Sequence, residues 1–343
     1  RFKAGSLDYY YVNVSQEWIE ELNFDRVERG LIRKRKIFND SPSGLQGIAF
    51  NTRREPYDDL RVRKALAHLQ NRQVLIEKVF FNEYLPMNSY YAGGLYENPN
   101  NPKTPYDPKL ALSLLAEAGW KERDNQGRLL KDGRPLVIEL LYSNQSSARF
   151  LTIYQEDLGQ VGIGLNLRLV TPETLFQLVM QRRFDLVSMA WGGLLFPNPE
   201  TSYHSSLADL ENNNNITGFK DQRVDELLDI YDQEFDQGKR AEIIQEIDGI
   251  LAESYQYILA WDAPFQRIAY WNKFGHPDSY LTRIGDYRDI SSLWWIDPQR
   301  EAQLDQARRD SSKPLDTGSV EVDYWSNHAQ GEPEEESLPT TEN

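Results

Sequence analysis

Between Pro135 and Ala190 the chain repeats one pattern, a short apolar run followed by an amphipathic stretch and another apolar run. Leu136–Tyr142, Gly164–Val170 and Phe184–Ala190 read as strands, and Ser147–Val161 and Pro172–Arg182 read as helices. Parallel strands need a crossover connection, and a helix between two apolar runs is that connection. The pattern therefore commits the chain to an α/β fold with a largely parallel sheet. Such sheets bind guests outside the carboxyl ends of their strands. The last of these strands runs there into Trp191, Gly192, Gly193 and Leu194, within the stretch FDLVSMAWGGLLFPNPETSYHSSLADL. An aromatic at that edge, followed by glycines whose backbone no Cβ shields, makes these four residues the candidate ligand-binding site. A core tryptophan followed by an ordinary turn would be written with the same letters.

Around this segment the elements are less regular. Leu7–Val14 reads as a strand, Gln16–Leu22 as a helix capped by Ser15, Leu31–Phe38 as a basic extended run, and Leu45–Asn51 as a strand. Apolar residues from Val62 to Val79 recur at helical spacing, which predicts one helix over Arg61–Phe80. Asn82–Tyr106 is a long Pro-, Asn-, Gly- and Tyr-rich loop, a length that compact domains keep for a functional reason. Asp107-Pro108 opens a helix that Gly119 closes. Gln222–Phe235 and Lys239–Glu253 are amphipathic helices, and Tyr257–Trp261 and Arg267–Trp271 are strands. Beyond Arg309 the apolar periodicity stops and an acidic cluster, Glu332–Glu336, follows; residues 310–343 are expected to be a disordered tail.

At 343 residues the chain exceeds the usual single-core size, so two lobes are expected. A net charge of −15 argues against nucleic acid or an anionic membrane as partner. Zero cysteines remove disulfides, thiolate metal sites and cysteine nucleophiles, and suit an exported bacterial protein. His68, His204, His276 and His328 lack metal-ligand spacing. Gly162 and Gly164 precede a strand where a dinucleotide fingerprint would precede a helix, and no P-loop or G-x-S-x-G elbow is present. No cofactor or metal is expected. The opening RFKAGSLD reads as a helix end entering a strand, so further chain is expected upstream, with any targeting signal in it.

Three stretches, GIAFNTRREPYDDLRVRKALAHLQNRQVLIEKVF, YDPKLALSLLAEAGW and ITGFKDQRVDELL, resemble the solute-binding receptors of peptide-type ABC importers, the family 5 extracellular solute-binding proteins. RFKAGSLD, SGLQGIAFNTRR, the Trp191 loop and LWWIDPQR look like the Yej-type branch, whose members bind oligopeptides and peptide–nucleotide antibiotics. Over residues 1–305 the resemblance implies a two-lobed periplasmic-binding-protein-like fold of class II type, with only part of the first lobe present. It also implies a further N-terminal stretch of roughly 250 residues. Residues 1–48 would belong to the first lobe, 49–262 would form the second, and 263–309 would return to the first. Leu45–Asn51 would be a hinge strand, placing Gln46 and Asn51 beside an inter-lobe cleft, with Trp18 reaching in from the first lobe. Gln46 and Asn51 could equally be strand residues bonded to backbone, and Trp18 a packing residue. In oligopeptide and dipeptide receptors an Asp after the equivalent Trp pairs with the ligand's α-amino group, whereas here Gly192, Gly193 and Leu194 follow. The resemblance implies a monomeric periplasmic protein without catalysis, its partners an oligopeptide or peptide-like ligand and ABC permease subunits. A cleft hydrolase and a ligand-binding sensor are the alternatives.

Overall fold

Strands Leu45–Phe50 and Leu186–Trp191 pair antiparallel, with Leu45 opposite Trp191 and Phe50 opposite Leu186. Successive side chains of a strand point to opposite faces. Leu45, Ala49 and Val187 thus enter one core, and Ile48, Phe50 and Leu186 enter another. The computed structural model that shows this describes Arg1–His328. The full sheet has the order Tyr257–Leu259, Leu45–Phe50, Leu186–Trp191, Val137–Tyr142, Gly164–Leu169. The last three strands are mutually parallel, as their helical crossovers require. Leu45–Phe50 runs against them, and Tyr257–Leu259 runs against it in turn.

Helices cover both faces. Leu60–His68, Pro108–Glu117 and Ala148–Gln160 bury Leu66, Leu115 and Leu158 over one face. Pro172–Met180, Gln222–Gln233 and Gln237–Ser254 bury Val179, Leu227 and Ile244 over the other. Asp59, Asp107, Thr171, Asp221 and Asp236 accept N–H bonds at the starts of five of these helices. Each such cap contributes about 1 kcal/mol. The single helix expected over Arg61–Phe80 ends at His68 and restarts at Arg72. Asn71 causes the break, because its side chain accepts from the Val74 N–H and caps a new turn. Gln70 lies in the gap.

The chain divides into Pro42–Ala263 and a second unit made of Arg1–Ser41 with the chain from Pro264 onward. The crossings fall at Ser41/Pro42 and Ala263/Pro264, so residues 42–48, assigned from the sequence to the first lobe, go with the Pro42–Ala263 unit. The reason is pairing: Leu45–Phe50 is hydrogen-bonded to strands of that unit on both sides.

In the other unit, strands Tyr9–Tyr11, Gln266–Trp271, Ile32–Ile37 and Glu321–Val322 lie side by side in that order. Helix Pro298–Arg309 adds Leu304 and Ala307 to a core containing Phe2, Trp18, Leu22 and Trp271. Residues 310–328 are not the disordered tail that composition suggested. Lys36 and Phe38 donate backbone bonds to Val320 and Val322, and Leu315 donates to Arg29. Trp325 donates its indole N–H to the Leu281 carbonyl at 3.1 Å. A few well-placed bonding groups along an open strand edge hold this segment, where apolar periodicity offered nothing. The acidic cluster Glu332–Glu336 lies outside the described residues. Among those described, no helix is long and apolar enough to cross a membrane.

Candidate ligand-binding site

Trp191 ends its strand half-buried, and its indole N–H donates to the Tyr257 hydroxyl at 3.1 Å. Its ring forms one wall of a cavity of about 250 Å³ whose other walls include Tyr90, Tyr91, Tyr96, Tyr203 and Tyr257. Tyr90 meets Tyr203 and Tyr257 edge-on, with ring centroids 6.1 and 5.8 Å apart. Such pairs orient aromatic rings as well as bury them. Burial pushes the hydroxyls of Tyr90, Tyr91, Tyr203 and Tyr257 above the usual phenol range, so they stay neutral. None of the described residues lining the cavity carries a formal charge. The result is a neutral, π-rich recess with hydroxyl groups on its walls.

Tyr90, Tyr91 and Tyr96 come from the long Asn82–Tyr106 loop, and one carboxylate holds that loop in place. Asp248 is fully buried in helix Gln237–Ser254. Its Oδ1 accepts from the Tyr90 N–H at 2.8 Å. Its Oδ2 accepts from Ser89 Oγ at 2.7 Å, the Asn98 N–H at 3.0 Å and Asn101 Nδ2 at 2.7 Å. Burial pushes this carboxyl up from the ordinary range, and the four donors pull against that shift. Residues 88–101, which form no helix or strand, thereby become a fixed wall.

The two glycines after Trp191 differ. A Cβ on Gly192 would meet nothing within 4 Å, so the backbone there is open to a guest. A Cβ on Gly193 would collide with the carbonyl oxygens of Pro42 and Ser43, and one on Gly44 would collide with that of Trp191. Gly193 and Gly44 let two backbone segments cross; only Gly192 offers free backbone. Leu194 also lines the cavity and is well exposed, at 60%.

The remaining sequence candidates lie elsewhere. Gln46, opposite Ala190, points to the other face of the sheet, donates to the Trp261 carbonyl and lines a different cavity. Asn51 is 1% exposed. Its Nδ2 donates to the carbonyls of Arg182 and Phe184, both at 3.0 Å, and its Oδ1 accepts from Arg53. Every polar atom of that side chain is used to tie down a strand end, so Asn51 is corrected to a packing residue. Trp18 is corrected likewise: it is 3% exposed within its own unit's core, with the Lys34 ammonium 4.3 Å from the centre of its ring. The tyrosines and Asp248 were not predicted. A signal for Asp248 existed, since it shares the buried stripe of its helix with Ile244, Ile247 and Leu251.

Among the described residues, no three His, Cys, Asp or Glu side chains gather to hold a metal ion.

The family described as bacterial extracellular solute-binding proteins, family 5, middle region, matches residues 1–214, more than half of the chain. The chain belongs to that family. Its relatives include the uncharacterized protein YejA of Escherichia coli (strain K12), 24% identical, with 90% of this chain and 56% of that protein covered. A probable peptide-binding protein, YejA of Agrobacterium fabrum, is 23% identical over 86% of this chain and 53% of its own length. Among solved structures, the oligopeptide-binding protein AppA from Bacillus subtilis, in complex with a nonapeptide, superposes with a TM-score of 0.72 at 22% identity. That match covers 86% of this chain and 57% of AppA. NikA from Brucella suis, in complex with Fe(III)-EDTA, gives 0.66 at 23% identity, covering 80% and 55%. These likenesses show a common fold. The chain spans about half the length of the curated relatives it matches.

Proposed function

We propose that this chain is the greater part of a periplasmic substrate-binding subunit of an ABC importer, capturing oligopeptides or peptide-like solutes for delivery to a membrane permease. The observation that carries the reading is the Trp191 cavity: a half-buried indole at the carboxyl edge of a sheet, tyrosine walls and one glycine with open backbone. Flat aromatic surface and unshielded main-chain amides suit a peptide, whose backbone needs hydrogen bonds and whose side chains need apolar cover. Membership of an extracellular solute-binding family and the fold shared with a nonapeptide complex support it. With no charge on the described lining of the cavity, the group bound there is a neutral part of the solute.

Native mass spectrometry of the freshly purified protein, followed by calorimetric titration with a short-peptide library, tests the proposal. A co-purified peptide mass or peptide binding at micromolar affinity is expected. Failure of every peptide to bind, with a non-peptide solute co-purifying, would exclude it.

A further inference from the structure

Among the described residues Phe235 is the most exposed large apolar side chain, at 91%, and it stands in the turn between helices Gln222–Gln233 and Gln237–Ser254. That turn is pinned. Glu234 Oε1 accepts from the Phe235 and Asp236 N–H groups, each at 2.9 Å. Arg240 donates to the Tyr231 and Glu234 carbonyls, both at 2.8 Å, with its guanidinium 3.6 Å from the centre of the Tyr231 ring. Tyr231 is buried, and its hydroxyl donates to the Pro197 carbonyl at 2.7 Å. Pro197 lines the Trp191 cavity. Four exposed apolar side chains flank this one bond: Leu195 and Phe196 precede Pro197, Ile230 precedes Tyr231, and Phe235 follows it in the pinned turn.

The patch is strongly acidic. Residues 192–202 and 224–238, which contain it, carry seven carboxylates and no Lys or Arg. Arg223 and Lys239, just outside, pair with Glu226 and Glu234 at 3.6 and 3.8 Å. Asp229 and Asp232 are exposed and enter no ion pair among the described residues. We propose that this patch is a docking surface for a positively charged protein face that receives Phe235 in an apolar pocket. A ring already held in place loses little freedom when it is buried, so a single aromatic can anchor an interface. The carboxylates around it select a basic rim and repel an anionic lipid surface, and a second copy of this chain would bring acid against acid. The identity of the partner rests on the receptor reading above: the face belongs to the ABC permease, and the Tyr231–Pro197 bond ties the docking surface to the wall of the solute cavity.

The test measures binding of the purified protein to its ABC permease reconstituted in lipid nanodiscs, with empty nanodiscs of the same lipid beside it. Phe235→Ser and the double variant Asp229→Lys/Asp232→Lys should each weaken permease binding about tenfold or more, with melting temperature and binding of a short-peptide library unchanged. Phe235→Trp should retain it. Raising NaCl from about 50 to about 500 mM should weaken wild-type binding. Variants that bind like wild type, binding that salt leaves unchanged, equal binding to empty nanodiscs, or self-association abolished by Phe235→Ser would each overturn the proposal. No permease binding by the wild type removes the surface, and peptide capture alone then carries the receptor reading. Peptide capture with permease binding that ignores Phe235 keeps the receptor and removes the surface. Phe235-dependent permease binding by a protein that takes no peptide keeps the surface and removes peptide as the solute.

Discussion

The carboxylate of Asp248 accepts a hydrogen bond from the Ser89 hydroxyl at 2.7 Å, 159 residues apart in sequence, and neither group reaches solvent. Through this contact a helix interior fixes the loop that brings three tyrosines to Trp191. Asp248→Ala would leave the Tyr90 and Asn98 N–H groups, the Ser89 hydroxyl and the Asn101 amide without their acceptor. We expect a stability loss of about 3 kcal/mol or more, since buried donors left unsatisfied cost about 1–3 kcal/mol each. Limited proteolysis should cut first within residues 88–101. Unchanged protection of that loop would show that Asp248 does not hold it.

Gly192 and Gly193 separate free backbone from crowded backbone, and neither has a positive φ. Only space distinguishes them. Gly192→Ala should fold normally, while Gly193→Ala forces the Pro42–Gly44 segment aside at a cost of about 1–3 kcal/mol or more. Chemical denaturation of the two variants checks this; equal midpoints would mean the crossing is loose.

Removing the chain after Arg309 should destabilise the unit built on Ile32–Ile37. It deletes the bonds that Leu315, Val320, Val322 and Trp325 make. At about 0.5–1.5 kcal/mol each, four bonds amount to roughly 2–6 kcal/mol before the entropy released by the freed segment is subtracted. Affinity of the folded fraction for ligand should stay the same, because the described lining of the Trp191 cavity falls within residues 42–257. A truncated protein with an unchanged melting temperature would show that the segment contributes nothing.

The regular part of this fold was legible because period-2 and period-3.6 patterns are local. The run Pro135–Trp191 gave its strands and helices to within a few residues. Asn51 and Trp18 misled for a complementary reason: a polar residue in a strand and an aromatic in a short helix look the same whether they face a ligand or a core, and only non-local partners decide. For Asn51 those partners are the carbonyls of Arg182 and Phe184, more than 130 residues away. The tyrosine wall was invisible because its positions depend on Asp248, which periodicity assigns to a buried stripe without saying what it meets there.

His276 makes stability depend on pH. Its ring stacks near Tyr280 and Trp294, with Nδ1–H donating to the Pro277 carbonyl at 2.9 Å. Burial, and then the positive charges of Arg300, Arg35 and Arg33, hold its pKa at about 4, against 6.5 in its absence, with the Pro277 carbonyl opposing. The folded state therefore binds the proton more weakly than the unfolded state. This contribution is fully present above pH 6.5, falls as pH drops from 6.5 toward 4, and is constant below. Its size is at most about 3 kcal/mol, reduced by the partial exposure of the ring. Denaturation midpoints of wild type and His276→Phe should converge as pH falls across that window if the wild type holds the advantage at neutral pH; parallel curves would show that His276 does not titrate as described.

Trp191 carries the functional reading and is the sharpest place to test it. The side chain does two jobs in the structure: it covers one side of the 250 Å³ cavity, and it satisfies the buried Tyr257 hydroxyl. Trp191→Ala should cost on the order of 2–4 kcal/mol in ligand binding, as for an aromatic hot spot. It should also cost stability, about 1–3 kcal/mol, since the Tyr257 hydroxyl loses its partner. Trp191→Phe separates the jobs in part, because it keeps a flat aromatic ring in the cavity while removing the indole N–H and some of the ring area. We expect the phenylalanine variant to share the stability loss and retain affinity to within about tenfold, a difference of about 1.4 kcal/mol. If both variants bind ligand like wild type once corrected for the folded fraction, Trp191 is a packing residue and the site lies elsewhere.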